Sequence, residues 1–213
     1  MTPTGMLALA STAFLATHFV SSTPLRPALV ARIGERPYQG AYTLVAFVTL
    51  GWMSWAFAQA PSEPVFSPLR QAAFALMPVA FILLVCGFGR NPTIVGAEKL
   101  LKSDDPARGM IRITRHPIMW AFMIWAAAHL LARGDLKSAI FFGTFLLVAA
   151  VGTLSMDRRK RSHPDWARFA AATSHLPFKA ILEKRNRIVW REIGWLRPAI
   201  GLAVYFAVLS FHP

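Results

Sequence analysis

The chain has 213 residues, 55% of them hydrophobic, with a mean hydropathy of +0.44, which is more apolar than an ordinary soluble domain. Its charge is lopsided, with 23 Lys and Arg against 10 Asp and Glu, a balance that suits either nucleic acid or anionic lipid. The basic residues fall between long apolar runs rather than on one folded polar surface, which excludes nucleic acid as a partner and points to membrane lipids.

Six stretches contain no Asp, Glu, Lys or Arg: 5–22, 41–60, 71–89, 118–132, 138–156 and 198–213. Crossing ~30 Å of hydrocarbon takes about 20 helical residues, so each is read as a transmembrane helix. The first has no basic residue before it, which argues against a cleaved signal, and its first cations follow at Arg26, Arg32 and Arg36. The third holds the single cysteine, Cys86, which reads as a small core residue and excludes an internal disulfide or a cysteine-rich metal site.

The fourth stretch is short. Its 15 residues span about 22 Å, so the helix is expected to run back through Ile113-Thr114-Arg115-His116-Pro117 and to cover 113–132. The last helix is likewise expected over 193–213. Loops one, three and five carry 3, 6 and 10 Lys and Arg residues; with Arg197 that makes 20 on one side and 3 on the other. By the positive-inside rule both termini lie outside the cytoplasm. The expected fold is therefore all-α: one polytopic domain over 1–213, with six transmembrane helices at about 5–22, 41–60, 71–89, 113–132, 138–156 and 193–213.

The last cytoplasmic loop has its own pattern. Ser162-x-x-Asp165 reads as a capping box ahead of Trp166, Phe169, Ala170 and Thr173, and 181–195 interleaves apolar with basic residues. Both are expected to be short amphipathic helices in the interface.

Polar groups at membrane depth are costly and so mark candidate functional residues. His18 lies near the inner end of helix one, His116 at the inner end of helix four and His129 near its outer end. A histidine in such a place also serves simply to hydrogen-bond a neighbouring helix. Arg112, Arg115 and His116 together suit a cationic pocket for a carboxylate, propionate or phosphate. In Asp157-Arg158-Arg159, where helix five ends, the cations read as a stop-transfer cluster. The carboxylate is expected in a structural ion pair across the bundle, with Arg112 or Arg115 as its partner.

Several of these motifs resemble the NnrU family of membrane proteins. They include Gly109 to Pro117 (GMIRITRHP), Trp120, Ala128-His129-Leu130 and Arg133-Gly134-Asp135. Thr17-His18, Leu29 to Arg36, Asp157-Arg158-Arg159 and Thr173-Ser174-His175-Leu176-Pro177-Phe178 extend the likeness over nearly the whole chain. The resemblance implies a multi-pass protein of a bacterial inner membrane linked to nitrite and nitric oxide metabolism. The same family includes zeta-carotene isomerase, whose haem-linked histidines match His18 and His129, with His116 a further match. The implied cofactor is haem b, with iron ligated by His18 and His129 and propionates on Arg112 and Arg115. The implied partner is a lipophilic substrate. Ala126 stands where the isomerase has a cysteine, so cysteine ligation does not carry over. A non-enzymatic accessory factor for respiratory nitrogen-oxide enzymes is a second reading. A third comes from a distant similarity to integral-membrane methyltransferases, in Arg115-His116-Pro117 and Trp166-x-x-Phe169, which implies S-adenosylmethionine; those enzymes carry two adjacent carboxylates where this chain has Asp157-Arg158.

Overall fold

The computed structural model describes residues 1–212 and is all-helical, apart from one isolated antiparallel bridge between Pro64 and Asp135. The helices are α1 (Pro3–Val20), α2 (Leu25–Ile33), α3 (Glu35–Gln59), α4 (Arg70–Gly87), α5 (Pro117–Arg133), α6 (Leu136–Lys160), α7 (Trp166–Ala172), α8 (Lys179–Leu182), α9 (Trp190–Ile193) and α10 (Leu196–Phe211). Of these, α1, α3, α4 and α6 are long and apolar enough to cross a membrane, while α5 and α10 are shorter apolar helices. Their outer faces suit hydrocarbon: Phe47, Phe74 and Phe206 are 69%, 60% and 60% exposed. Pro213, the expected end of the last helix, lies outside the described residues.

The chain forms two compact units. The first comprises 1–73 and 126–148. Its core is Leu7, Ala10 and Phe14 of α1 against Met53 and Ala56 of α3, with Phe141 and Phe145 of α6 packed on them. Small residues at Ala10 and Ala56 let the helices approach closely, and the phenylalanines fill the remaining space. The segment 61–69 straps the α5–α6 turn: the N–H groups of Val65 and Phe66 both donate to the Gly134 carbonyl, and Leu136 N–H donates to Glu63. Gly134 has φ +66°, and a Cβ there would come within 2.5 Å of the Phe66 carbonyl oxygen, so only glycine fits. Asp135 caps α6 through Ser138 N–H at 2.8 Å. Burial opposes its charge, but that bond and the nearby Arg133 and Lys137 hold its carboxyl below the usual range.

The second unit comprises 74–125 and 149–213. Here α4 meets α10 backbone to backbone, with the Gly201 Cβ position 2.9 Å from Ile82 Cα. Similarly α4 meets α5 where Gly87 faces Ile118. A second core of Leu101, Ile111, Trp166 and Phe169 joins the loop before α5 to α7.

Several boundaries differ from the sequence expectation. Helix four begins at Pro117, not at 113: residues 109–112 form a 3-10 turn and 113–116 run irregularly. A residue before proline disfavours helical backbone, and this segment bonds elsewhere. Arg115 N–H donates to Ser174, and Phe178 N–H donates to Ile113, both at 2.8 Å. The last helix begins at Leu196 because Gly194, at φ +66°, ends α9 and turns the chain. Ser162-x-x-Asp165 is not a capping box; the Ser162 hydroxyl donates to Arg159 and Asp165 makes no side-chain cap bond. Residues 181–195 are not one helix: α8 and α9 are single turns separated by an irregular stretch in which Lys184 has φ +57°. Helix α2 lies where a loop was expected.

Candidate functional site

The polar residues divide between the two units. In the second, Asp157 near the end of α6 accepts from the Arg115 guanidinium and, at 2.7 Å, from His116 Nε2. Arg115 is buried and its other donors are spent on the Thr173 hydroxyl (2.9 Å) and the carbonyls of Ala170 (3.1 Å) and Thr173 (3.2 Å). Its guanidinium lies over the rings of Trp166 and Phe169. A fork with several donors inside the protein is what lets an arginine be buried here. The cluster fastens α6, the start of α5 and the 170–175 segment together.

His116 is 1% exposed, and its bond to the Asp157 carboxylate puts a hydrogen on Nε2, so Nδ1 is the nitrogen that carries the lone pair whenever the ring is neutral. No protein group bonds that Nδ1 among the described residues. The His175 ring is 6.0 Å away, centroid to centroid, and Trp120 Nε1 donates to the His175 carbonyl at 2.8 Å. Burial, and then the neighbouring His116, hold the His175 imidazole below its ordinary value.

Arg112 belongs to a separate cluster. It grips Glu192 bidentately, Nε to Oε2 at 2.7 Å and Nη2 to Oε1 at 2.9 Å, and it also donates to Asn186 and Asp105. Gly109 N–H adds a bond to Glu192 at 2.9 Å. Arg112 first, then this backbone N–H, lower the Glu192 carboxyl to about 2, against the opposing effect of burial. The sequence gives little sign of Glu192 as a partner: it lies 80 residues from Arg112 within a charge-rich segment. Arg112 and Arg115 were the cations expected for haem propionates. In this structure both are paired with internal acids.

His18 and His129 both lie in the first unit. His18 Nδ1–H donates to the Phe14 carbonyl at 2.8 Å, leaving the Nε2 lone pair as its ligating position. Its ring packs 4.0 Å from Phe14 and edge-on to Tyr42 at 5.8 Å. His129 stacks on Phe142 at 4.7 Å. Between them runs a ladder of ring contacts, Phe14 to Phe145 (5.5 Å), Phe145 to Phe141 (5.2 Å) and Phe141 to Phe142 (5.2 Å). An apolar aromatic wall with a carbonyl-oriented imidazole fits an axial haem ligand at His18. Among the described residues no three His, Cys, Asp or Glu side chains gather into a metal-ion site.

No solved structure matches this chain. Over 80 residues it is 37% identical to the 15-cis-zeta-carotene isomerase of Arabidopsis thaliana, a chloroplastic protein; the match covers 37% of this chain and 22% of that relative. The chain therefore aligns with about a fifth of the curated relative's length. The family model for the NnrU protein matches residues 6–213. The chain belongs to the NnrU family.

Proposed function

We propose that this protein takes a lipophilic substrate from the bilayer and isomerises it, as an isomerase-like member of its family. The observation that carries the reading is the stretch of 37% identity to 15-cis-zeta-carotene isomerase, in a chain with four membrane-length helices.

The proposal includes haem b, held by His18 through Nε2. Bound there, haem supplies a redox-active iron. The protein's own contribution is orientation: the Phe14 carbonyl sets the His18 tautomer, and the Phe14 and Tyr42 rings limit its rotation. The link to nitrite and nitric oxide metabolism belongs to the same proposal.

The topology we propose has six spans, with α5 and α10 added to the four longer helices and both termini outside the cytoplasm of a bacterial cell. It is supported by the 20-to-3 division of Lys and Arg.

The test is direct. Haem-loaded protein in liposomes containing a cis-configured carotene should convert it to another geometric isomer, followed by chromatography. The His18→Ala variant should lose the conversion. Folded, haem-loaded protein that converts no cis polyene would remove the isomerase reading.

A further inference from the structure

The second unit contains a cavity of about 160 Å³ at the end of α4, which no role above uses. Its rim holds Arg90, Arg108 and Arg197, and its floor includes Cys86, Met110 and Ile193. The charge balance there is unusual. Glu192 also lines the cavity, but Arg112 grips it at 2.7 and 2.9 Å, whereas Arg108 reaches it only at 3.7 Å. Neither Arg90 nor Arg197 has an ion-pair partner among the described residues. The rim thus carries positive charge in excess of what its one carboxylate neutralises.

The backbone makes room for this arrangement. A Cβ on Gly89 would fall 2.8 Å from Arg197 Nη1, so a larger residue there would push the guanidinium aside. Gly109, at φ +64°, turns the opposite wall and presents its N–H to Glu192. Arginine forks match phosphate geometry and are weakly hydrated, so unpaired ones converging on a cavity favour a phosphate oxygen cluster. The size is informative too. Pockets for drug-sized ligands run to roughly 300–1,000 Å³, so this one suits a headgroup rather than a nucleoside cofactor. It lies where α4, one of the membrane-length helices, ends, and its floor is apolar.

We propose that this cavity binds a phosphate group, either the monoester headgroup of an anionic membrane amphiphile or free phosphate. The site is independent of the isomerase reading and survives if that reading fails.

The experiment uses the full chain purified in detergent, with phosphatidic acid, phosphatidylcholine and inorganic phosphate as probes. Binding is read by native mass spectrometry and by the shift in Tm. Phosphatidic acid should be retained and should raise Tm, and phosphatidylcholine should do neither. Arg90→Gln and Arg197→Gln should each weaken retention by about tenfold or more, the loss expected for a hydrogen bond to a charged group. Gly89→Ala keeps every charge but displaces Arg197, and it should weaken retention as well. Arg191→Ala, an exposed cation that does not line the cavity, should change nothing. If inorganic phosphate gives the same Tm shift and the same variants abolish it, the site stands and free phosphate is the source. Unchanged phosphatidic acid binding in both glutamine variants and Gly89→Ala, equal loss in Arg191→Ala, or equal retention of phosphatidylcholine would overturn the proposal. Elution volume and helical circular dichroism check that each variant is folded.

Discussion

His18 gives its Nδ1 hydrogen to the carbonyl oxygen of Phe14, one helical turn back in α1, at 2.8 Å. The bond satisfies a polar group on an apolar helix and leaves one nitrogen, Nε2, with a lone pair. A histidine held this way is oriented before any ligand arrives.

The Asp157 cluster gives a stability prediction. Asp157→Ala leaves Arg115 buried without its carboxylate, a change that costs about 3–5 kcal/mol. Replacing both, Asp157→Ala with Arg115→Met, should recover much of that loss. Denaturant unfolding in detergent measures both. A single variant as stable as the parent would mean that the pair contributes nothing.

Glu192 gives a pH prediction. Its carboxyl is lowered from 4.5 to about 2 in the folded protein. A depressed carboxyl stabilises the fold above the unfolded value, and that stability is lost as pH falls through the folded value. The contribution should therefore be complete above about pH 4.5 and decline between there and pH 2. Tm measured against pH should fall more steeply over this window in the parent than in Glu192→Gln. Identical slopes would show that Glu192 is not the group responsible.

Gly134→Ala should destabilise the first unit by more than about 1 kcal/mol, because it adds left-handed strain to a clash with the Phe66 carbonyl. Gly143→Ala, in open space within α6, should be neutral or slightly stabilising. Thermal unfolding of the two variants side by side checks this, and equal effects would contradict it.

Topology is tested with reporter fusions. Fusions after Ala60 and Ala132 should report the outer compartment, and one near Thr173 the cytoplasm. A reversed result at any of the three would remove the six-span arrangement.

The apolar runs and the cation count were readable from sequence because hydrocarbon imposes length and composition directly. The Asp157 partner was half readable. A carboxylate at a membrane boundary needs a cation, but Arg112 and Arg115 were equivalent until the fold gave Arg112 to Glu192. That second pairing joins residues 80 apart, and no periodicity links them. The start of α5 was misread because helix length was judged against bilayer thickness. What decided it was the bonding of Ile113 to Arg115 with 174–178, together with the constraint that Pro117 places on its predecessor. The Arg90–Arg108–Arg197 rim was invisible as a cluster, since each residue alone fits the positive-inside pattern.

The most direct measurement is the absorbance spectrum of protein purified from membranes of haem-replete cells. The parent should show a Soret band, His18→Ala should lose or shift it, and His163→Ala, in a loop of the other unit, should leave it unchanged. Colourless parent protein, or a band that His18→Ala leaves intact, would contradict haem ligation by His18.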